Sequence, residues 1–262
     1  MRNLFPLLLL SLLLVACGGE TASTETDTDD TTVTDPPAEV QKITLTPMPD
    51  AVEFPDAALT SMYYTGGKFS FGVEAGESGY ALGEQTSDAP QLMCANSGKG
   101  QHIHLILNDS PYAAKYEAEF EHEVPDGEHH LLAFLSRSYH LSIKQPQAAI
   151  MKVVTAADGA ITDMKDIEGP MLFYSRPKGS YAGADAEQIM LDFYPVNVEL
   201  GNDYQVKVEV GGESFLVDKW RPYFFKGLPA GDHTVTLTLV DGEGNTVDAP
   251  LNPVSREISV AP

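Results

Sequence analysis

Histidine is the residue type whose spacing in this sequence most clearly allows chemistry. Six of the seven histidines lie between positions 102 and 140. His102 and His104 alternate with apolar residues over 102–107, a pattern typical of a β-strand with one buried face. Side chains two residues apart project from the same face of a strand, with Cα atoms about 7 Å apart. We therefore expect this pair to point away from the core, on an exposed face.

Two further side chains are candidates to join that pair. His130 has the outward register on a strand expected beside that of His102 and His104, and Cys94 precedes them in a loop. Imidazole together with thiolate suits copper or zinc. His102, His104, His130 and Cys94 are therefore the candidate ligands of a Cu or Zn site. No short-spaced ligand signature accompanies them, which favours a polar sheet face on which the histidines occur by coincidence.

Motifs for catalysis are absent from the sequence. It has no Gly-x-Ser-x-Gly elbow, and Ser97–Gly100 lacks the spacing of a phosphate-binding loop. The run Glu121-His122-Glu123 is not followed by the second histidine of a zinc protease motif. We assign no catalytic residue and no cofactor other than the candidate Cu or Zn, and we predict that the protein is not an enzyme.

An internal repeat indicates the elements that must position these residues. Segments 100–107 and 124–135 match segments 203–210 and 228–239, at an offset of about 104 residues. Each copy has an alternating strand, then a Pro-x-Gly-acid-His corner, then a second alternating strand. His129 aligns with His233 in this repeat, and we expect both to be structural residues of the corner. A repeat of this length predicts two homologous domains.

The second copy resembles the immunoglobulin-like and fibronectin-like extracellular domains, on the residues Leu228–Asn245. The strand within that segment places Val235, Leu237 and Leu239 on one face and threonines on the other. The resemblance and the alternation predict an all-β fold of two tandem immunoglobulin-like β-sandwiches.

The equivalent outward face in the first copy carries His130, Leu132 and Phe134, which is too apolar to face water. The candidates to cover this face are the second domain, the segment 144–155 and a partner, and we expect the cover to come from within the chain.

The N-terminus has the order of an export signal. Residues 1–16 combine a short basic start with an apolar run that is too short to span a bilayer, and Leu14-Val15-Ala16-Cys17 resembles the bacterial lipobox. The resemblance implies lipidation at Cys17, and Gly18 after it implies sorting to the outer membrane. Cys94 is then left without an intramolecular partner, and burial is its default state.

The remaining boundaries follow from composition. Residues 17–40 are the lipidated cysteine and a disordered acidic linker, because Thr, Asp and Glu dominate there. We place the first β-sandwich at 41–155, a linker at 156–168 and the second β-sandwich at 169–262. The net charge of −22 excludes a nucleic-acid partner.

Together these features predict a non-enzymatic, lipid-anchored envelope lipoprotein that acts as a binding or interaction module. Its partners would be the membrane, through the lipid, and a protein, peptide or glycan ligand. The chain also resembles two-domain bacterial envelope lipoproteins, some of which carry a phosphopeptide-binding label, but it has no forkhead-associated signature. The alternative function is Cu or Zn binding in the cell envelope by the histidine cluster.

Overall fold

A computed structural model describes residues 42–92 and 94–261 of the chain. The predicted signal peptide, the lipobox cysteine Cys17 and the whole of the acidic linker lie outside the described residues. Strands of the N-terminal half are β1 Thr44–Pro47, β2 Ala58–Thr65, β3 Lys68–Glu74, β4 His102–Leu107, β5 Ala113–Lys115, β6 Glu119–Glu121, β7 Gly127–Ser136, β8 Ala149–Ala157 and β9 Ala160–Lys165. Those of the C-terminal half are β10 Met171–Arg176, β11 Gly179–Tyr181, β12 Ile189–Val196, β13 Tyr204–Val210, β14 Glu213–Val217, β15 Tyr223–Lys226, β16 Gly231–Asp241 and β17 Val254–Val260.

Helices are limited to short turns in the described part of the chain. These are α1 Ala89–Leu92, α2 Ala184–Glu187 and a 3-10 turn at Pro146–Ala148. None of these helices has the length and apolar character needed to cross a bilayer. The all-β fold class predicted from the sequence is confirmed.

Eight strands of the N-terminal half form one sheet, in the order β5-β4-β7-β8-β9-β2-β3-β6. The sheet encloses its own core, because one cluster combines Tyr64 and Phe69 from the β2–β3 hairpin with Ile103, Leu105 and Leu135 from β4 and β7. Alternation along β4 explains this arrangement, since every second side chain of a strand faces the same side.

Two sheets form the C-terminal sandwich. One has the order β1-β15-β12-β10 and the other β11-β17-β16-β13-β14. Val235, Leu237 and Leu239 of β16 are fully buried in the core between the sheets, as their alternation predicts.

The internal repeat is reproduced in the strand pairing. His102 lies opposite Ser136 in the β4–β7 pair. At the equivalent position of the β13–β16 pair, Gln205 lies opposite Val240. The corner histidines also match, since His129 Nε2 donates to Pro125 O and His233 Nε2 donates to Pro229 O, each at 2.8 Å. Both histidines are therefore structural parts of the corner, as the repeat predicts.

Residues of the C-terminal half cover the apolar outer face of β7. Leu132 and Phe134 are fully buried in a cluster with Met171, Phe173 and Tyr194. The Phe134 and Tyr194 rings lie 5.0 Å apart between centroids. The expectation of cover from within the chain is confirmed, and the cover extends over the β4 face that carries His102 and His104.

Two strands bear on the predicted domain limits. β9 occupies 160–165, within the segment predicted as linker, and it pairs with β8 as part of the first sheet. β1, from the start of the predicted first domain, pairs with β15 of the C-terminal sandwich. The division into domains at these boundaries stays a prediction.

Candidate metal centre

Strand β4 and the turn after β7 bring three histidines together. His102 and His104 share one face of β4 because they are two residues apart, while Ile103 between them faces the core. His140 lies in the turn that follows β7, where it has a left-handed backbone with φ of +68°. Its amide donates to Arg137 O at 2.9 Å, which closes the turn. Since β7 ends at Ser136, opposite His102, this tight turn returns His140 to the histidines of β4.

The three imidazoles converge on one point. His102 Nε2 lies 2.8 Å from His104 Nε2 and 2.9 Å from His140 Nδ1, and the last two atoms are 3.4 Å apart. The ring centroids are further from one another, at 4.7 to 5.6 Å. The rings are therefore splayed outward and present their nitrogen atoms inward. Among the described residues, this is the group of metal-ligating side chains close enough to hold one ion.

The dimensions of this triangle suit a transition metal. A point about 1 Å out of the plane of the three nitrogens lies about 2.05 Å from each, which is a Zn–N bond length. In a tetrahedral site with such bonds the nitrogens lie about 3.3 Å apart, so binding would open the cluster by a few tenths of an ångström. Three imidazoles leave a fourth position for another ligand.

Hydrogen bonding orients His102 toward that point. Its Nδ1 donates to Gly100 O at 2.7 Å, which leaves Nε2 as the lone-pair nitrogen facing the other rings. Gly100 has φ of +86°, and a Cβ at this position would lie 2.3 Å from Gly83 O, so the close approach requires glycine. His104 is oriented instead by stacking, since its ring lies 3.6 Å from the Tyr112 ring at an interplanar angle of 6°.

Burial keeps the three imidazoles neutral. His102 and His104 have no solvent-exposed surface, while His140 is partly exposed. Burial, with the charges of Arg176 and Lys178, lowers the pKa of His102 to about 4. The pKa values of His104 and His140 are lowered as well, again chiefly by burial. Neutral imidazole is the form that binds metal, so the cluster is in its ligating state at pH 7.

The structure changes the predicted ligand set and its surroundings. His102 and His104 share a face, as predicted, but this face is buried and not exposed, because the C-terminal half packs over it. His130 does not join them: it lies four residues before Phe134, the residue paired with His104, and is thus about 13 Å away along the strand. Its main-chain amide donates to Asn108 Oδ1 instead.

Cys94 also lies outside the histidine cluster. It is buried among apolar residues that include Tyr139 and Met190, and its thiol donates to Leu92 O at 3.5 Å. Burial raises the pKa of this thiol to about 12, which disfavours the thiolate that a metal requires. The expected default of burial is thus confirmed for Cys94.

His140 is the candidate ligand that the sequence reasoning missed. It follows His102 by 38 residues, and no ligand motif has that spacing. The available signal was its place directly after the alternating strand β7, where a tight turn would fold it back beside Ser136.

Comparisons with known proteins add only distant likenesses. No protein-family model and no curated protein matches the chain. Fibronectin(III)-like modules of Clostridium thermocellum CbhA are 20% identical over 35% of this chain and 97% of theirs, with a TM-score of 0.27. The extracellular domain of a protein described as a hybrid two-component system from Bacteroides thetaiotaomicron is 11% identical over 78% of this chain, with a TM-score of 0.29.

A third solved structure is the Bacteroides ovatus SGBP-B protein in complex with a mixed-linkage heptasaccharide. It is 10% identical over 81% of this chain, with a TM-score of 0.18. The chain spans 38% of the length of the B. thetaiotaomicron protein and 44% of the B. ovatus protein. At these TM-scores the likenesses say nothing about ligand or activity.

Proposed function

We propose that this protein is an envelope lipoprotein that binds one transition-metal ion, Zn²⁺ or copper, through His102, His104 and His140. The observation that carries the proposal is the convergence of three neutral imidazole nitrogens within 3.4 Å of one another. Metal binding thereby becomes the leading function over a general interaction module, with His140 in place of His130 and Cys94. The proposal is a binding function and assigns no catalytic residue.

The donor set favours transition metals such as zinc and copper over Mg²⁺ and Ca²⁺. Imidazole nitrogen suits these ions, whereas Mg²⁺ and Ca²⁺ require oxygen ligands that the three histidines do not supply. A cluster with neutral ligands does not need to lose protons before it binds, so binding near neutral pH would be little affected by proton competition.

The cell-envelope location rests on the lipobox at Cys17 and the sorting residue Gly18. An anchored protein of this kind would hold its metal at the membrane surface, beyond the acidic linker. The candidate partners in this proposal are the membrane, through the lipid, and the metal ion.

Metal titration of the mature full chain tests the metal site. The protein is stripped with a chelator and titrated with Zn²⁺ or Cu²⁺ by calorimetry, with elemental analysis after desalting. We expect about one equivalent per chain. His104→Gln and His140→Asn should each lose binding, and the latter substitution suits the left-handed backbone at 140 because Asn tolerates it.

His130→Gln is the matched control, since it removes a histidine from the same face of the same sheet but far from the cluster. It should bind the metal like the wild type. Absence of stoichiometric binding by the wild type would refute the proposal. So would retained binding in both cluster variants, provided that circular dichroism shows them folded.

A further inference from the structure

Three cationic side chains converge where β10, β11 and β17 meet. Arg176 ends β10, Lys178 follows it in the turn to β11, and Arg256 lies in the middle of β17. β11 and β17 pair in parallel, with Gly179 opposite Ile258. The turn before β11 therefore runs alongside the part of β17 that carries Arg256. Burial, with the charges of Arg176 and Arg256, lowers the pKa of Lys178 to about 8. We call these three side chains the cation group.

Both arginines of the cation group are buried. Arg256 alternates along β17 with the buried apolar residues Val254 and Ile258, and it lies opposite the fully buried Val235 of β16. It thus has the register of a core residue and is 7% exposed, while Arg176 is 4% exposed. Burying a charge in this way is costly unless an opposite charge accompanies it.

The hydrogen-bond partners of the two guanidinium groups are neutral. Arg176 Nη1 donates to the Tyr112 hydroxyl oxygen at 3.3 Å, and Arg176 Nη2 donates to the Tyr181 hydroxyl oxygen at 2.9 Å. Arg256 Nη2 donates to the main-chain carbonyl oxygen of Asp109 at 2.8 Å. Hydroxyl and carbonyl oxygens stabilise a cation less than an ionised acceptor does. These contacts therefore compensate the buried charge only in part.

Carboxylates of the described chain do not pair with the cation group. None of its three members forms a salt bridge within residues 42–92 and 94–261. Asp192, opposite Arg176 in the β10–β12 pair, is bound instead by Lys144 Nζ at 2.7 Å. Burial lowers the pKa of Arg256, although the charge of the exposed Asp109 opposes this change. Acidic residues outnumber basic ones by 38 to 16 in the chain, so composition does not account for these unpaired cations.

Several buried polar atoms of this region also lack partners. Arg176 Nε and both Nε and Nη1 of Arg256 have no hydrogen-bond acceptor among the residues that the structure describes. The same is true of the hydroxyls of Tyr174 and Ser175, and the Arg256 Cζ lies 4.7 Å from the centroid of the Tyr174 ring. Buried polar groups in native proteins are nearly always satisfied, and an exception calls for an explanation such as a bound water or ion. An anion would accept from these N–H groups and also supply the missing negative charge.

We propose that the cation group binds a small tetrahedral oxyanion with two negative charges, such as sulfate or hydrogen phosphate. Guanidinium suits the oxygen atoms of these anions because its N–H donors have a fixed planar geometry. Lys178 is only half-buried, so the anion enters from its side, and the burial of both arginines restricts the ligand to a small ion. This site goes beyond the proposed metal-binding function and does not depend on it, because the cation group contains no metal ligand.

Calorimetric titration of the mature full chain with sodium sulfate tests the site. The protein is first stripped of metal and desalted, and sodium chloride keeps the ionic strength constant. We expect about one sulfate per chain, bound at least about tenfold more tightly than chloride, because a dianion interacts more strongly with three cations than a monoanion does. Inorganic phosphate should compete for the same site.

Arg256→Met is the variant that removes the site with least disturbance. Replacing a buried charge with an apolar side chain of similar volume is often neutral or stabilising, so the variant should fold. It should weaken sulfate binding at least about tenfold, because a charge-assisted contact is lost. Arg221→Met is the matched control and should bind sulfate like the wild type. Arg221 is partly buried and has no salt bridge in the described part of the chain, but its Nη2 donates to Met48 O at 2.9 Å, outside the cation group.

Nuclear magnetic resonance of the wild type gives a second measurement that needs no folded variant. In protein labelled with ¹⁵N-arginine, the signals of two Nε–H groups should shift as sulfate is added and saturate at about one equivalent. Chloride at the same ionic strength should leave them in place. Saturable shifts of no arginine Nε–H signal would contradict the proposal.

The outcomes separate this site from the metal centre. A wild type that binds neither sulfate nor phosphate more tightly than chloride refutes the anion site, as does equal sulfate binding by the wild type and Arg256→Met. Sulfate binding that requires added Zn²⁺ also refutes it and places the anion on the metal. Arg256→Met should still bind one metal ion, and sulfate binding by a wild type that binds no metal refutes the metal centre alone.

Discussion

Acidification of the metal-free protein should destabilise it through the histidine cluster. His102, His104 and His140 are neutral in the folded protein because burial lowers their pKa values, whereas in the unfolded chain each titrates near its ordinary value of 6.5. Below pH 6.5 the unfolded state therefore binds more protons than the folded state. By linkage, the free energy of unfolding then falls as the pH falls, from 6.5 toward the folded-state pKa values.

The size of the effect follows from His102. Its pKa falls from 6.5 in the unfolded chain to about 4 in the folded protein. For one such histidine the free energy of unfolding falls by about 1.4 kcal/mol per pH unit between pH 6.5 and the folded-state pKa. A change from pH 7 to pH 5 therefore lowers it by about 2 kcal/mol. Burial lowers the pKa values of His104 and His140 as well, so both add to this loss in the same direction. The contribution of His102 alone is already a sizeable share of the 5–15 kcal/mol typical of a folded domain.

Urea unfolding at pH 7 and pH 5 measures this loss, with a chelator present and circular dichroism as the signal. Most carboxylates remain ionised over this range, so the histidines dominate the change. His140→Asn should reduce the loss, because one buried imidazole is removed. Other effects of pH cancel in the comparison, because both proteins carry the same acidic residues.

Tyr116→Phe serves as the control for local packing. The Tyr116 ring lies 4.9 Å from the His102 ring, and the substitution removes no imidazole. It should show the full loss of stability between pH 7 and pH 5. The reasoning would be refuted by equal unfolding free energies of the wild type at the two pH values, or by an unchanged loss in His140→Asn.

Three further predictions concern other parts of the molecule. Phe134→Ala should lower the unfolding free energy by about 3–5 kcal/mol in urea denaturation, because it opens a cavity under the C-terminal half. Leu216→Ala, at an exposed position, should change the unfolding free energy by at most about 0.5 kcal/mol. Equal effects of the two substitutions would contradict the packing described. The Cys94 thiol should react with a thiol reagent only after unfolding, because it is buried and its pKa is raised to about 12; rapid labelling of the native protein would show otherwise. Cys17→Ser should release the protein from the membrane fraction of a bacterial host while Cys94→Ser should not, and the prediction fails if both variants stay membrane-bound.

Local patterns in the sequence were sufficient to predict much of the fold. Alternation of apolar residues placed His102 and His104 on one face and Val235 and Leu237 in the core, because the two-residue period of a strand is a property of the backbone itself. The repeat predicted the shared strand register and the corner role of His129. These features depend on residues close in sequence, so they can be predicted without the tertiary structure.

The composition of the site depended instead on contacts between distant segments. The packing of Met171 and Tyr194 over the sheet buries His102 and His104, which the alternation alone would place at the surface. The left-handed turn at His140 brings the third imidazole to them. The register of β7 placed His130 too far along the strand to take part. Arg176 places a positive charge beside the cluster, although it lies 64 residues after Tyr112, the residue to whose hydroxyl it donates. The sequence alone thus determined which strand face carries the histidines. The packing of the two halves determined that this face is buried and that its imidazoles are neutral, because burial and convergence are properties of the assembled sheets and not of any one strand.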